Sequence, residues 1–179
     1  MSSLKDKLRE YANRAQQLGK KTAKIGVLGG NYETAANTPV AYVAAIQEYG
    51  APGRGIPARP FMRPTVQAYK QQWSDSMHDG LRQVIRGQLQ PVNVLDAVGE
   101  LAASEMKLTM SQVQTPPLSP VTVMLRGMKH HDATLQVSGR VVGEAARRVA
   151  EGKTNYGASD KPLEDTFTLY DSIAYEVSE

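Results

Sequence analysis

A chain of 179 residues that is 41% hydrophobic and 22% charged has the composition of a folded globular protein, sized for one domain or one domain with an insertion. It holds no cysteine, which excludes disulfide frameworks, thiolate metal sites and cysteine nucleophiles together. Its net charge of +3 is unevenly placed: residues 1–24 carry seven bases against two acids, a net of +5, and residues 160–179 carry six acids against Lys161, a net of −5.

The first segment reads as a helix. Ser3-x-x-Asp6 is a capping-box pattern, Leu4, Leu8, Tyr11, Ala15 and Leu18 recur at helical spacing, and Gly19 is a natural stop. Ile25–Leu28 predicts a short strand ending at Gly29-Gly30. Residues 31–38 are polar and loop-like. Thr38-Pro39 then reads as an N-cap with proline at the first helical position, opening a short apolar helix from Val40 to Tyr49 that Gly50 stops. A buried strand is the alternative for that run.

Residues 50–64 hold four of the ten prolines and three glycines, with Arg54, Arg59 and Arg63 among them. Such a stretch cannot be regular helix or central strand. Its Ile56, Phe61 and Met62 predict an arm that docks, either on its own core or on a neighbouring subunit. From Pro64 a longer helix follows, with Val66, Tyr69, Trp73 and Met77 on one side, interrupted by Gly80 and ending at Gly87. Another begins near Asn93-x-x-Asp96, buries Leu95, Val98, Ala102 and Met106, and ends by Thr115-Pro116-Pro117. Ser119-Pro120 opens a short further turn. Residues 128–159 change in character, and Val142, Ala145, Ala146 and Val149 predict one helix there. The chain closes with a short helical turn over 164–171 and an alternating edge strand, Ile173 to Val177.

Catalytic motifs are scarce. Gly19-Lys20-Lys21-Thr22 lacks the upstream glycine of a phosphate-binding loop, and there is neither a G-x-G-x-x-G nor a G-x-S-x-G. His130-His131 are adjacent and so point apart, and His78 stands alone. Glu164-Asp165 is the best carboxylate pair, better suited to capping or ion pairing. The expectation is no catalytic residue, no metal site and no cofactor. The longest apolar runs fall short of the ~18 residues of a bilayer span, and MSSLKDKLREYANR is too charged for a secretory signal, which predicts a soluble chain with no membrane partner. The charge asymmetry suits nucleic-acid contact, pairing of the two ends within a subunit, or head-to-tail packing of subunits, and leaves all three open. Sequence-independent DNA binding through the basic N-terminal helix and Arg54, Arg59 and Arg63 is the alternative function, although the eleven aromatics do not alternate with the bases as a stacking platform would.

Two separated motifs resemble a known group. Val43-Ala44-Ala45-Ile46-Gln47-Glu48-Tyr49-Gly50 with Ile56-Pro57-Ala58-Arg59-Pro60-Phe61-Met62-Arg63-Pro64 is similar to the A-x-I-x-E-[FY]-G … I-P-A-R-P-F-[ML]-R-P signature of tailed-bacteriophage neck proteins, the head–tail joining or tail-completion proteins. The run from Lys161-Pro162-Leu163 through Asp165-Thr166, Leu169, Ser172-Ile173 and Tyr175 to Val177 resembles the family's K-P-L-x-D-T-G-x-L-x-x-S-I-x-[YW]-x-V ending. Between them, Pro117-Leu118-Ser119-Pro120-x-Thr122 matches its P-L-x-P-x-T step. Phe167 departs from the pattern, standing where the family has glycine, which leads us to expect a backbone there without positive φ. Gln47 replaces a frequent histidine.

The resemblance implies an α+β fold, helices packed on a small antiparallel sheet, in one domain over 1–179 with the arm and an insertion at 128–159. It implies a non-enzymatic virion protein that forms a cyclic homo-oligomer, a hexamer or dodecamer, at the phage neck after assembly in the host cytoplasm. Its partners would be further copies, the head connector and portal-side neck proteins, the tail tube or tail terminator, and genomic DNA in the lumen. Arg59, Pro60, Phe61, Met62 and Arg63 are then the candidate interface, and Glu48, Gly50, Asp165, Thr166, Leu169 and Ser172 the motif residues with a place in the fold.

Overall fold

A computed structural model describes residues 3–32, 37–153, 157–163 and 167–178. Among the described residues seven α-helices pack on one two-stranded antiparallel sheet, the expected α+β class. Helix α1 spans Leu4–Gly19, strand β1 Thr22–Val27, α2 Val40–Tyr49, α3 Met62–Ile85, α4 Pro91–Ser111, α5 Pro120–His131, α6 Gly139–Ala150, α7 Thr168–Asp171 and strand β2 Ile173–Ser178.

The strand predicted near each end of the chain exists because the two pair with each other, from Thr22 opposite Ser178 to Val27 opposite Ile173. The register sets Lys24 opposite Glu176, an opposite-charge cross-strand pair. One base of the basic end thus stands beside one acid of the acidic end within a subunit.

Helix α4 organises the interior. It lies between α3 on one side and the sheet on the other, and its buried residues, among them Val94, Leu95, Val98, Ala102, Met106 and Met110, cover about half of its circumference, an arc wide enough to meet both. Small residues permit that double contact. A methyl built on Gly99 would stand 2.5 Å from the Tyr175 ring, and one on Gly80 would overlap Val94. Gly80, which weakens α3 as an isolated helix, thus lets α3 approach α4 closely at Val94. The main core joins α4 to α2, α7 and β2 through Val40, Ala44, Phe61, Met106, Leu169 and Ile173.

Several boundaries differ from expectation. Pro39 is the residue before α2 rather than its first helical residue, and no side chain caps that end. Helix α3 starts at Met62, so Pro64 sits inside its first turn, where a missing amide costs no hydrogen bond. Helix α4 starts at Pro91 and stops at Ser111, before the prolines. Ser119 opens a full twelve-residue helix, with its hydroxyl accepting from the Thr122 amide at 3.1 Å. The division expected at residue 128 therefore falls inside α5, and α6 packs back on α5 through the buried Ala145. The outer side of α6 is solvated and ion-paired: Arg147 and Arg148 hold the Glu144 carboxyl down at about 2.

Candidate functional site

The Pro/Arg-rich stretch is an ordered connection whose shape is set by Glu48. Helix α3 has no capping side chain at its own N-terminus. The Glu48 carboxylate, brought by the last turn of α2, fills that role. It accepts the backbone amides of Phe61 at 2.8 Å, Met62 at 2.9 Å and Arg63 at 3.0 Å, and the Arg63 Nε at 2.9 Å. Three orphan donors of a helix start are thus satisfied by one anion placed at the positive end of the helix dipole. Burial pushes the Glu48 carboxyl upward, but the amides of Arg63 and Met62, the Arg63 side chain and the Phe61 amide outweigh it and hold it below the usual carboxylate range. Arg63 closes the clamp by donating Nη2–H to the Glu48 carbonyl at 2.6 Å and stacking over Tyr49, 4.9 Å from the ring centroid.

Gly50 must turn the chain between these parts. Its φ is +74°, and a Cβ there would stand 2.8 Å from the Ala58 nitrogen. Only glycine fits both conditions. A short 3₁₀ turn, Pro52–Arg54, follows, and the Arg59 amide then donates to the Gln47 carbonyl at 2.6 Å, returning the chain beside α2.

That geometry corrects part of the expected interface. Phe61 is wholly buried and Arg59 is 5% exposed, both within their own chain. Phe61 packs in the main core, and Arg59 donates to the carbonyls of Pro116 at 2.7 Å and Pro117 at 2.8 Å. Hydrophobic burial and carbonyl acceptors inside the subunit compete successfully for both side chains, so neither is an exposed anchor. Pro60 and Met62 are half-buried, and Arg63 keeps an outward face.

In the closing motif Leu169 is core, and Ser172 ends α7 with its hydroxyl donating to the Thr168 carbonyl at 2.6 Å. Asp165 and Thr166, and with them Glu164, lie outside the described residues. Phe167 overturns a specific expectation. Its φ is +57°, in the left-handed region, so the backbone keeps the conformation glycine would supply although the residue is phenylalanine. The preceding Leu163 is also left-handed, at φ +65°.

One important residue was missed. Glu105 is buried on α4 and accepts from the Trp73 indole N–H and from Gln72 Nε2, the latter at 3.0 Å, both on α3. Its signal was a lone acid on an otherwise apolar helix side, three residues after Ala102.

Helix α1 is almost wholly exposed. Its capping box forms, with the Ser3 amide donating to Asp6 at 3.0 Å and the Lys5 amide to the Ser3 hydroxyl at 3.3 Å. Arg14 fastens it to α3 by donating to the Ile85 carbonyl at 3.3 Å. Its apolar stripe, however, has no cover among the described residues: Leu4 is 74% exposed, Leu8 57% and Tyr11 38%. Lys5, Lys7, Arg9 and Lys20 are exposed around it. His130 and His131 sit in the last turn of α5. No described helix is long and apolar enough to cross a membrane.

Comparison with protein-family models, with curated proteins and with solved structures gave no match.

Proposed function

We propose that this chain is a structural, non-enzymatic component of a tailed-bacteriophage neck, acting in the virion as a ring of identical copies that completes the tail and bridges it to the head connector. The neck location rests on the three ordered motifs. The assembly role is carried by one observation, the uncovered apolar stripe of α1. An amphipathic helix whose Leu4, Leu8 and Tyr11 face solvent gains by burying them against another chain, at about 25 cal/mol per Å² of apolar surface removed from water.

Head-to-tail contacts that close on themselves make rings, and a basic helix meeting an acidic neighbouring surface favours one orientation over others. The motif residues supply the frame behind that surface: Glu48 and Gly50 fix α2 against the start of α3, and Arg14 fastens α1 to the end of α3. Native mass spectrometry of the purified chain tests the reading, with a cyclic oligomer expected for the wild type and a folded monomer for Leu8→Glu.

The same exposed bases on α1 favour a second reading, sequence-independent binding of duplex DNA. Binding in that case requires no oligomer and weakens steeply with salt. A chain that fails to retain duplex DNA at low salt excludes it.

A further inference from the structure

Helix α2 leaves a second apolar face uncovered. Ala41, Tyr42, Ala45 and Tyr49 fall on one side of it at helical spacing, and all four are exposed, Tyr42 by 52% and Tyr49 by 67%. A surface helix ordinarily turns charged or polar side chains to water. Here that side carries no charge, and the one charged residue of α2, Glu48, is buried in the cap of α3.

This face and the α1 stripe are fastened to opposite ends of α3. Arg14 ties α1 to Ile85, the last residue of α3, and Glu48 ties the end of α2 to its first residues. The 24 residues of α3 make a rod about 36 Å long. A contact between the two surfaces across two copies is therefore head-to-tail, the kind that closes into rings.

The two surfaces match in length and relief. Leu4, Leu8 and Tyr11 run i, i+4, i+7 on α1, and Tyr42, Ala45 and Tyr49 run i, i+3, i+7 on α2, each about 10 Å along its helix. Ala45 is a hollow between two tyrosine rings, and Leu8 is the ridge at the middle of the stripe. Charge separates this pairing from its rival. Stripe against stripe would bring Lys5, Lys7 and Arg9 of one copy to the same bases of another, with only Asp6 and Glu10 to offset them. The α2 face instead offers an acid near its start. A Cβ built on Gly30 stands 3.6 Å from both the Ser172 hydroxyl and the Val40 side chain, which sets the exposed Asp171 at that end of α2. The Tyr49 end already carries Arg63, so the bases of α1 suit the Tyr42 end, with its ring face and Asp171. We propose that the α2 face of one copy is the docking surface for the α1 stripe of the next, with Leu8 seated on Ala45 between Tyr42 and Tyr49. This names the second half of the contact and rests on the ring reading above.

The test mixes two variants of the full chain and reads their mass. Leu8→Glu keeps the α2 face intact, and Ala45→Glu keeps the α1 stripe intact; both positions are exposed, so circular dichroism should match the wild type. Alone, each is expected to be a single subunit, its association weakened about a hundredfold, the effect of a charge buried without a partner. Mixed in equal amounts they should form a dimer and nothing larger, because one complementary pair of faces remains. Should Ala45→Glu unfold, Tyr42→Ser takes its place. Since the chain has no cysteine, Leu8→Cys mixed with Ala45→Cys should cross-link on oxidation, and neither variant with itself. Wild-type rings that persist in Ala45→Glu, with no mixed cross-link, overturn this contact and leave the ring reading standing. Cross-linking of Leu8→Cys with itself also overturns it, in favour of stripe-to-stripe pairing. A wild type that stays a single subunit overturns both.

Discussion

The carboxylate of Glu48 caps a helix whose N-cap residue, Phe61, lies thirteen residues later, accepting the Phe61 amide at 2.8 Å. This bond and its neighbours turn a proline-rich connection into a fixed joint between α2 and α3. The spacing E-[FY]-G … R-P-F-M-R-P is then a folding requirement: an anion, a glycine for the turn, and a helix start that cannot cap itself.

Glu48→Gln keeps one acceptor and loses the charge. It is expected to lower unfolding free energy by about 2–3 kcal/mol, as measured by urea denaturation, because the amides of a helix start lose a charge-assisted partner. Arg63→Ala, whose side chain is 59% exposed, should cost only about 0.5–1 kcal/mol. Equal losses for the two would show that the ion pair, not the cap, holds the joint.

Acid should reveal the same carboxylate. Its folded-state pKa lies below the ordinary 4.5, so its stabilisation is fully present above that value and is lost as pH falls through 4.5 toward the folded value. Stability measured between pH 6 and pH 3, a range chosen to bracket about one unit or more around the usual carboxylate pKa, should fall less in Glu48→Gln than in the wild type. Parallel curves would remove Glu48 from the acid response.

Phe167 offers a test of backbone strain. A left-handed non-glycine residue costs roughly 1–2 kcal/mol, and this side chain is 53% exposed, with an edge-to-face contact to Tyr170 at 6.4 Å between centroids. Phe167→Gly is therefore expected to raise stability by about 0.5–1 kcal/mol in thermal or urea unfolding, after the entropy that glycine adds to the unfolded chain. A loss of stability would mean that the ring's contacts outweigh the strain.

Gly80→Ala separates helix propensity from packing. Alanine improves an isolated helix by about 1 kcal/mol, yet here its methyl would overlap Val94, and overpacking costs about 1–3 kcal/mol. Net destabilisation is expected, with partial rescue in the double variant Gly80→Ala with Val94→Ala. A stabilised single variant would show that α3 and α4 do not approach so closely.

Local signals carried much of this fold. The Ser3–Asp6 box, the stops at Gly19 and Gly50, and the alternation of Ile173 to Val177 each act within a few residues, and each produces the element it predicts. The pairing of β1 with β2 joins residues about 150 apart, and no local pattern sets a register over that distance. The site was harder to read for the same reason. Arg59 and Phe61 look like exposed anchors in a proline-rich stretch until Glu48 folds that stretch inward. The left-handed entry into α7 is kept at Phe167 although the residue there is not glycine, because the backbone around a helix start, not the side chain alone, sets that conformation. Glu105 escaped notice because its partners, Gln72 and Trp73, lie on another helix.

The account stands most directly on the exposed stripe of α1, and mass photometry with electron microscopy of the purified chain examines it. Closed rings of one stoichiometry are expected for the wild type, and folded single subunits for Leu8→Glu, since the side chain at position 8 is 57% exposed and its replacement leaves the core untouched. A wild-type chain that stays a single subunit at high concentration and in assembled particles would contradict the account, as would rings that persist unchanged in Leu8→Glu.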